Sequence, residues 1–220
     1  MKSATCILIS TFGGLVGLIG IEHGLGAILQ GDVAPESLIF PSWPDAEFFR
    51  ILSGEPALTL VPNLLVTGIL AILVSLLFLV WAIWFVQRRH GGQVLMLLSL
   101  AMLLVGGGLF PPVFGIILGA VATRIPSPVR VDTNLTRQPG RRSHGLRHLL
   151  AGLWPWFFVA GVISWLSMFP GVPALNYFFG VDDPILIFIV LICMFGFLFL
   201  AGVTGRARDL ENMEGVGSLV

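Results

Sequence analysis

Long apolar runs separated by short polar breaks organise this chain. Windows from about Cys6 to Leu29, Leu58 to Val86, Leu149 to Phe169 and Ile185 to Val203 each approach the roughly 20 apolar residues that a helix needs to cross about 30 Å of hydrocarbon. A fifth apolar window, Val94 to Thr123, is interrupted by Gly106-Gly107-Gly108-Leu109-Phe110-Pro111-Pro112. A proline pair following three glycines removes helix hydrogen bonds and clashes with the preceding turn. That window reads either as one kinked crossing or as a hairpin with arms Val94 to Val105 and Val113 to Arg124. Each arm would be about 18 Å long and reach only part-way across the hydrocarbon. The expected fold is an all-α integral membrane protein. It has four full transmembrane helices plus a Gly/Pro-broken helical hairpin, either re-entrant or two short spans, in one polytopic domain over residues 1–220.

Composition agrees, because 56% of residues are hydrophobic, 11% are charged and mean hydropathy is +0.95, whereas about a quarter of a soluble domain is charged. With 12 Lys+Arg against 12 Asp+Glu, the chain is not basic overall, which excludes a fold built around nucleic acid. The placement of positive residues separates the two topologies. A hairpin gathers Lys2, Arg88, Arg89, the six arginines from Arg124 to Arg147, Arg206 and Arg208 on one side and leaves Arg50 opposite, 11 against 1. A single kinked crossing gives 3 against 9. Positive residues in short loops stay cytoplasmic, so the hairpin is favoured, with both termini cytoplasmic in a plasma (inner) membrane. Lys2 and the run after it imitate a signal peptide, but the run continues past any small-residue cleavage site into Glu22-His23-Gly24, which reads as a retained first helix. In the outer loop, 31–57, Ser42 and Asp45 offer a capping box for a short interfacial helix over Ala46 to Leu52, with Gly54 placed to end it.

Ionisable groups inside a span are expensive and point to a site. Glu22 and His23 are the acidic residue and the histidine so placed. Counted from Cys6, Glu22 lies about 24 Å up its helix, in the outer third of the bilayer. Thr59, Asn63 and Thr67 form an i, i+4, i+8 row that starts at the same level. The candidate polar intramembrane site is therefore Glu22, His23, Thr59, Asn63 and Thr67, with backbone freed around Gly106, Gly107, Gly108, Pro111 and Pro112. Carboxylates beside free backbone groups at a broken helix are what membrane proteins use to hold an ion or polar solute. The competing reading makes the same residues interhelical glue.

No metal set is legible. Zinc needs three or four converging ligands, and adjacent Glu22 and His23 leave the helix about 100° apart. Cys6 and Cys193 lie in separate apolar segments without a Cys-x-x-Cys pair, and Ser164 and Ser167 have no base or Gly-x-Ser-x-Gly elbow. An enzyme has no motif behind it, and no cofactor is indicated. Gly13, Gly17, Gly20, Gly24 and Ala27 form a small-residue stripe for close helix contact, inside the subunit or as an oligomer seam. The Arg-rich loop 124–148, including Arg137, Arg141, Arg142 and Arg147, should attract anionic lipid headgroups at a cytoplasmic surface. The function expected is small-solute or ion transport through the polar site; the alternative is a structural or assembly subunit.

Overall fold

The computed structural model describes residues 3–123 and 141–217, apart from the side chains of 141–144 and 214–217. The described chain is mostly helical, and four helices are long and apolar enough to cross a membrane: Ala4–Leu29, Leu64–Phe85, Gly145–Phe179 and Pro184–Met213. Two further apolar helices, Gly91–Leu104 and Phe110–Ala122, are shorter. The chain folds into two compact units. One holds the described residues of Ile9–Arg124 and Val172–Asp182, the other those of Met1–Leu8, Ile125–Gly171 and Asp183–Val220.

In the first unit, α1 (Ala4–Leu29) packs on α2 (Leu64–Val80), which continues through a π-helical turn, Trp81–Phe85. The glycine stripe makes this contact within the chain. Gly13 faces Ala82, Gly17 faces Leu79 and Gly24 faces Ile72; a Cβ on Gly24 would stand 2.8 Å from the Gly68 carbonyl oxygen. α2 begins at Leu64, six residues later than the apolar run suggests. Pro62 disfavours helical backbone before it, and Asn63 caps the helix by accepting the Val66 N–H at 2.9 Å. α3 (Gly91–Leu104) and α4 (Phe110–Ala122) form an antiparallel hairpin, with Gly92 against Gly119 and Thr123 near one end and Gly115 against Ser99 further along. α3 also runs the length of α2. The Trp81 Nε1–H donates to the Gly91 carbonyl at one end, and the Leu60 N–H donates to the Leu104 carbonyl at the other.

The loop between α1 and α2 carries β1 (Ile39–Pro41) and β2 (Pro56–Leu58), an antiparallel pair in the register Phe40↔Ala57. Between them the expected short helix is a 3-10 helix, Glu47–Leu52, capped by Ala46 without a side-chain bond, so the Ser42 and Asp45 box is not used. Ser53 in the left-handed region ends it, followed by Gly54 at φ +70°. α6 (Val172–Phe179) packs on this 3-10 helix, with Tyr177 6.0 Å from Phe48 between ring centroids.

In the second unit, α5 (Arg141–Leu166) pairs with α7 (Pro184–Gly217). α5 starts within the segment expected to be an Arg-rich loop, and the pairing extends beyond the apolar windows. His148 Nδ1 meets Glu211 Oε1 at 2.5 Å, and the Arg208 guanidinium lies 5.1 Å from the Trp154 ring centroid. At the start of α1, the Ala4 and Thr5 amides donate to the Asp209 carboxylate at 2.6 and 3.0 Å. Ser164 and Ser167 bond the carbonyls one turn back, Ala160 and Ile163.

The close approach at Gly24 yields a direct test. Gly24→Ala should destabilise the protein by about 1–3 kcal/mol through overpacking. Gly196→Ala, where a Cβ meets nothing within 4 Å, should leave stability level or slightly raised. Reversible SDS unfolding of both variants measures the difference, and equal values would mean that the α1–α2 contact is not close-packed.

Candidate functional site

The break between α3 and α4 determines where the polar residues meet. Gly106 and Gly108 have φ of +88° and +89°, a conformation that a side chain resists. Pro111 and Pro112 lie in the first turn of α4, where a missing N–H leaves no gap in the helix. A broken helix leaves backbone groups without partners, and the segment after β2 supplies them. Leu60 N–H donates to Leu104 O at 3.0 Å, Leu109 N–H to Pro56 O at 3.2 Å, and Thr59 bridges Val105. These bonds fix residues 56–60 against the turn, and Glu55 immediately before them.

Glu55, His23 and Glu22 then converge. His23 is 3% exposed; its Nδ1 lies 2.9 Å from the Ile19 carbonyl and 3.0 Å from Glu22 Oε2, so this nitrogen carries the proton. Glu55 Oε2 lies 3.7 Å from the same nitrogen. The ring's other edge faces the turn: a Cβ on Gly108 would stand 2.8 Å from Nε2. Although adjacent helical positions diverge by about 100°, the Glu22 side chain is long enough to return to the imidazole. One ligand atom from each of the three side chains lies within 4.8 Å of the others.

The cluster is not fully paired. Among the described residues, Glu22 Oε1 and Glu55 Oε2 are buried without hydrogen-bond partners, as are Trp43 Nε1 and Ser42 Oγ in the covering loop. Trp43 lies over Gly26, one turn beyond Glu22, with Nε1 2.9 Å from where a Gly26 Cβ would stand. Backbone strain accompanies these orphans. Glu55 has φ 54°, held by its N–H to Leu52 O and by Ser42 N–H to its own carbonyl, both 3.0 Å. For a residue with a Cβ that conformation costs on the order of 1–2 kcal/mol and persists only where the surroundings enforce it.

The remaining candidate residues divide. Thr59 and Thr67 bond each other through their hydroxyls at 2.9 Å, and the Thr67 methyl fills the space a Gly106 side chain would need. Asn63 is at the start of α2, donating to Asp32 as well as capping, and is not on a continuous helical row with Thr59. Gly107 packs on Met102, and both prolines are buried. Glu55 lies outside the residues read from sequence, although an acid wedged between Gly54 and the apolar Pro56-Ala57-Leu58 is a signal of a kind. Arg141 and Arg142 open α5, Arg147 lines a groove with Arg206, and Arg137 lies outside the described residues.

Burial, and then the close approach and negative charge of neighbouring Glu22, push the Glu55 carboxyl up to about 9 from an ordinary 4.5. Its proton offsets one of the two negative charges that the pair would otherwise bury. The folded protein therefore holds a proton that the unfolded chain releases. The stability this confers is complete below about pH 4.5 and is lost as pH rises through about 9. Without divalent ions present, melting temperature should fall across that interval, and Glu55→Gln should flatten the fall. Parallel curves for the two proteins would mean that Glu55 is not the group responsible.

Compared with family models, curated proteins and solved structures, the chain has no match.

Proposed function

We propose that this is an integral membrane protein that transports a cation, with Glu22, His23 and Glu55 as the binding site near the outer face. The observation that carries this reading is a pair of carboxylates beside one imidazole nitrogen, each with one buried oxygen that has no hydrogen-bond partner among the described residues. Ser75 Oγ and Trp154 Nε1 are also buried without partners, but they are single neutral groups far less costly to bury than a pair of carboxylates, for which an orphaned acceptor costs about 1–3 kcal/mol or more. The broken α3–α4 turn against His23 supports the same reading, since non-helical backbone at depth is tolerated where protein or a water-filled cavity covers it. An assembly subunit is the second reading, favoured by the fully paired Thr59 and Thr67 and by the local capping role of Asn63.

In this proposal both termini and the Arg88 and Arg141 segments face the cytoplasm of a plasma (inner) membrane. α3 and α4 enter from that side, and their turn reaches the outer loop. The apolar side chains of α7 face lipid: Ile192 and Phe199 are 70% and 71% exposed. Arg147 and Arg206 flank a shallow groove floored by Leu150 and Leu210, which suits an anionic lipid headgroup. Single cysteines at 88 and 141, in a background lacking Cys6 and Cys193, should label from the same side with an impermeant thiol reagent. Labelling from opposite sides would replace the hairpin with a single kinked crossing.

Transport is tested in proteoliposomes with a panel of monovalent and divalent cations. The parent protein should give flux above empty liposomes, and Glu22→Gln should return it to the empty level at unchanged melting temperature. Absence of flux from the parent across the panel would leave the assembly reading ahead.

A further inference from the structure

We infer that Glu22, His23 and Glu55 form a binding site for a single divalent cation of the zinc class. This names the cation of the transport reading and rests on the same site. Charge comes first. Two ionised carboxylates and a neutral imidazole neutralise a divalent ion, whereas a monovalent ion balances only one carboxylate and leaves the other to keep its proton instead of serving as a ligand. Donor chemistry narrows the choice. Calcium takes six to eight oxygen ligands and magnesium demands an octahedron of oxygens, so three donors that include one nitrogen suit neither. A set of nitrogen and two carboxylate oxygens suits zinc and its borderline neighbours.

The spacing agrees. Ligands about 2.0–2.1 Å from a tetrahedral centre stand about 3.3 Å apart, and the Nδ1 to Glu22 and Nδ1 to Glu55 separations of 3.0 and 3.7 Å bracket that length. Binding releases the Glu55 proton to solvent and moves the imidazole proton off Nδ1, at the cost of the bond to Ile19 O. The ring then carries its proton on Nε2, beside Gly108. Independently of the cluster, Glu55 is only 5% exposed, its Oε2 has no hydrogen-bond partner, and its backbone is held in the left-handed region to aim it there. A metal ion would satisfy that oxygen. Three protein ligands leave one coordination position open, as in catalytic rather than closed structural zinc sites, and an open position gives a transported ion a point at which ligands can exchange.

The test uses full-length protein purified in detergent and stripped with a chelator. One equivalent of Zn2+ should bind and raise the melting temperature, Co2+ should give the intense visible absorption of a tetrahedral site, and Ca2+ should do neither. Glu55→Gln removes the carboxylate that would ligate the ion while keeping the side-chain volume. It should stay folded and bind Zn2+ at least about 100-fold more weakly, beyond the range that loss of a mere supporting residue gives. Glu36→Gln, an exposed acid in the same loop, should bind as the parent does. A folded parent that binds no Zn2+ at micromolar concentration, or Glu55→Gln binding with parental affinity, overturns the inference. Flux of another cation without Zn2+ binding sinks the zinc site and leaves transport standing, whereas Zn2+ binding without flux does the reverse.

Discussion

A helix broken between Leu104 and Phe110 leaves backbone carbonyls and amides that need partners, and in an apolar interior only other protein can supply them. The segment between α1 and α2 meets that need at Leu60 and Pro56, with Thr59 bridging Val105. The rest of the first unit follows from this docking. It fixes β2, β2 fixes Glu55 in a conformation that glycine would prefer, and Glu55 comes to rest against the one buried histidine of α1. Gly108 lets the turn approach that histidine, since a side chain there would meet the imidazole. Sequence enters here through glycine and proline rather than through the charged residues themselves.

The helices are largely legible in the sequence because apolar length reports them directly. Glu22 and His23 are legible for the same reason, as charges in an apolar run. The row of Thr59, Asn63 and Thr67 misleads, because its spacing is helical only if the helix runs from Leu58 onward. Pro62 opposes that helix and Asn63 caps the real one. Glu55 is not legible, since it joins His23 across 32 positions through backbone bonds that leave no periodic trace. Nor can the glycine stripe alone identify its partner; Gly68, Ile72 and Leu79 of α2 do so in the structure.

Polar residues in the same unit are treated in two ways. Thr59, Thr67 and Asn63 have their hydrogen bonds completed nearby, as expected where burial without a partner is costly. Glu22, Glu55, Trp43 and Ser42 do not. Ser75 in α2 and Trp154 in α5 also bury an unpartnered group, but among the described residues four of the six fall in and around the two carboxylates, where burial costs most.

Asp209 of α7 receives the Ala4 and Thr5 amides at the start of α1, a bond that closes across 205 positions of sequence. At synthesis rates of about 5–20 residues per second, the ribosome adds its carboxylate roughly 10–40 seconds after the amides it receives. For that interval the first turn of α1 must find other acceptors. Completion of the earliest helix therefore awaits arrival of the latest, and the order of assembly is built into where one aspartate lies.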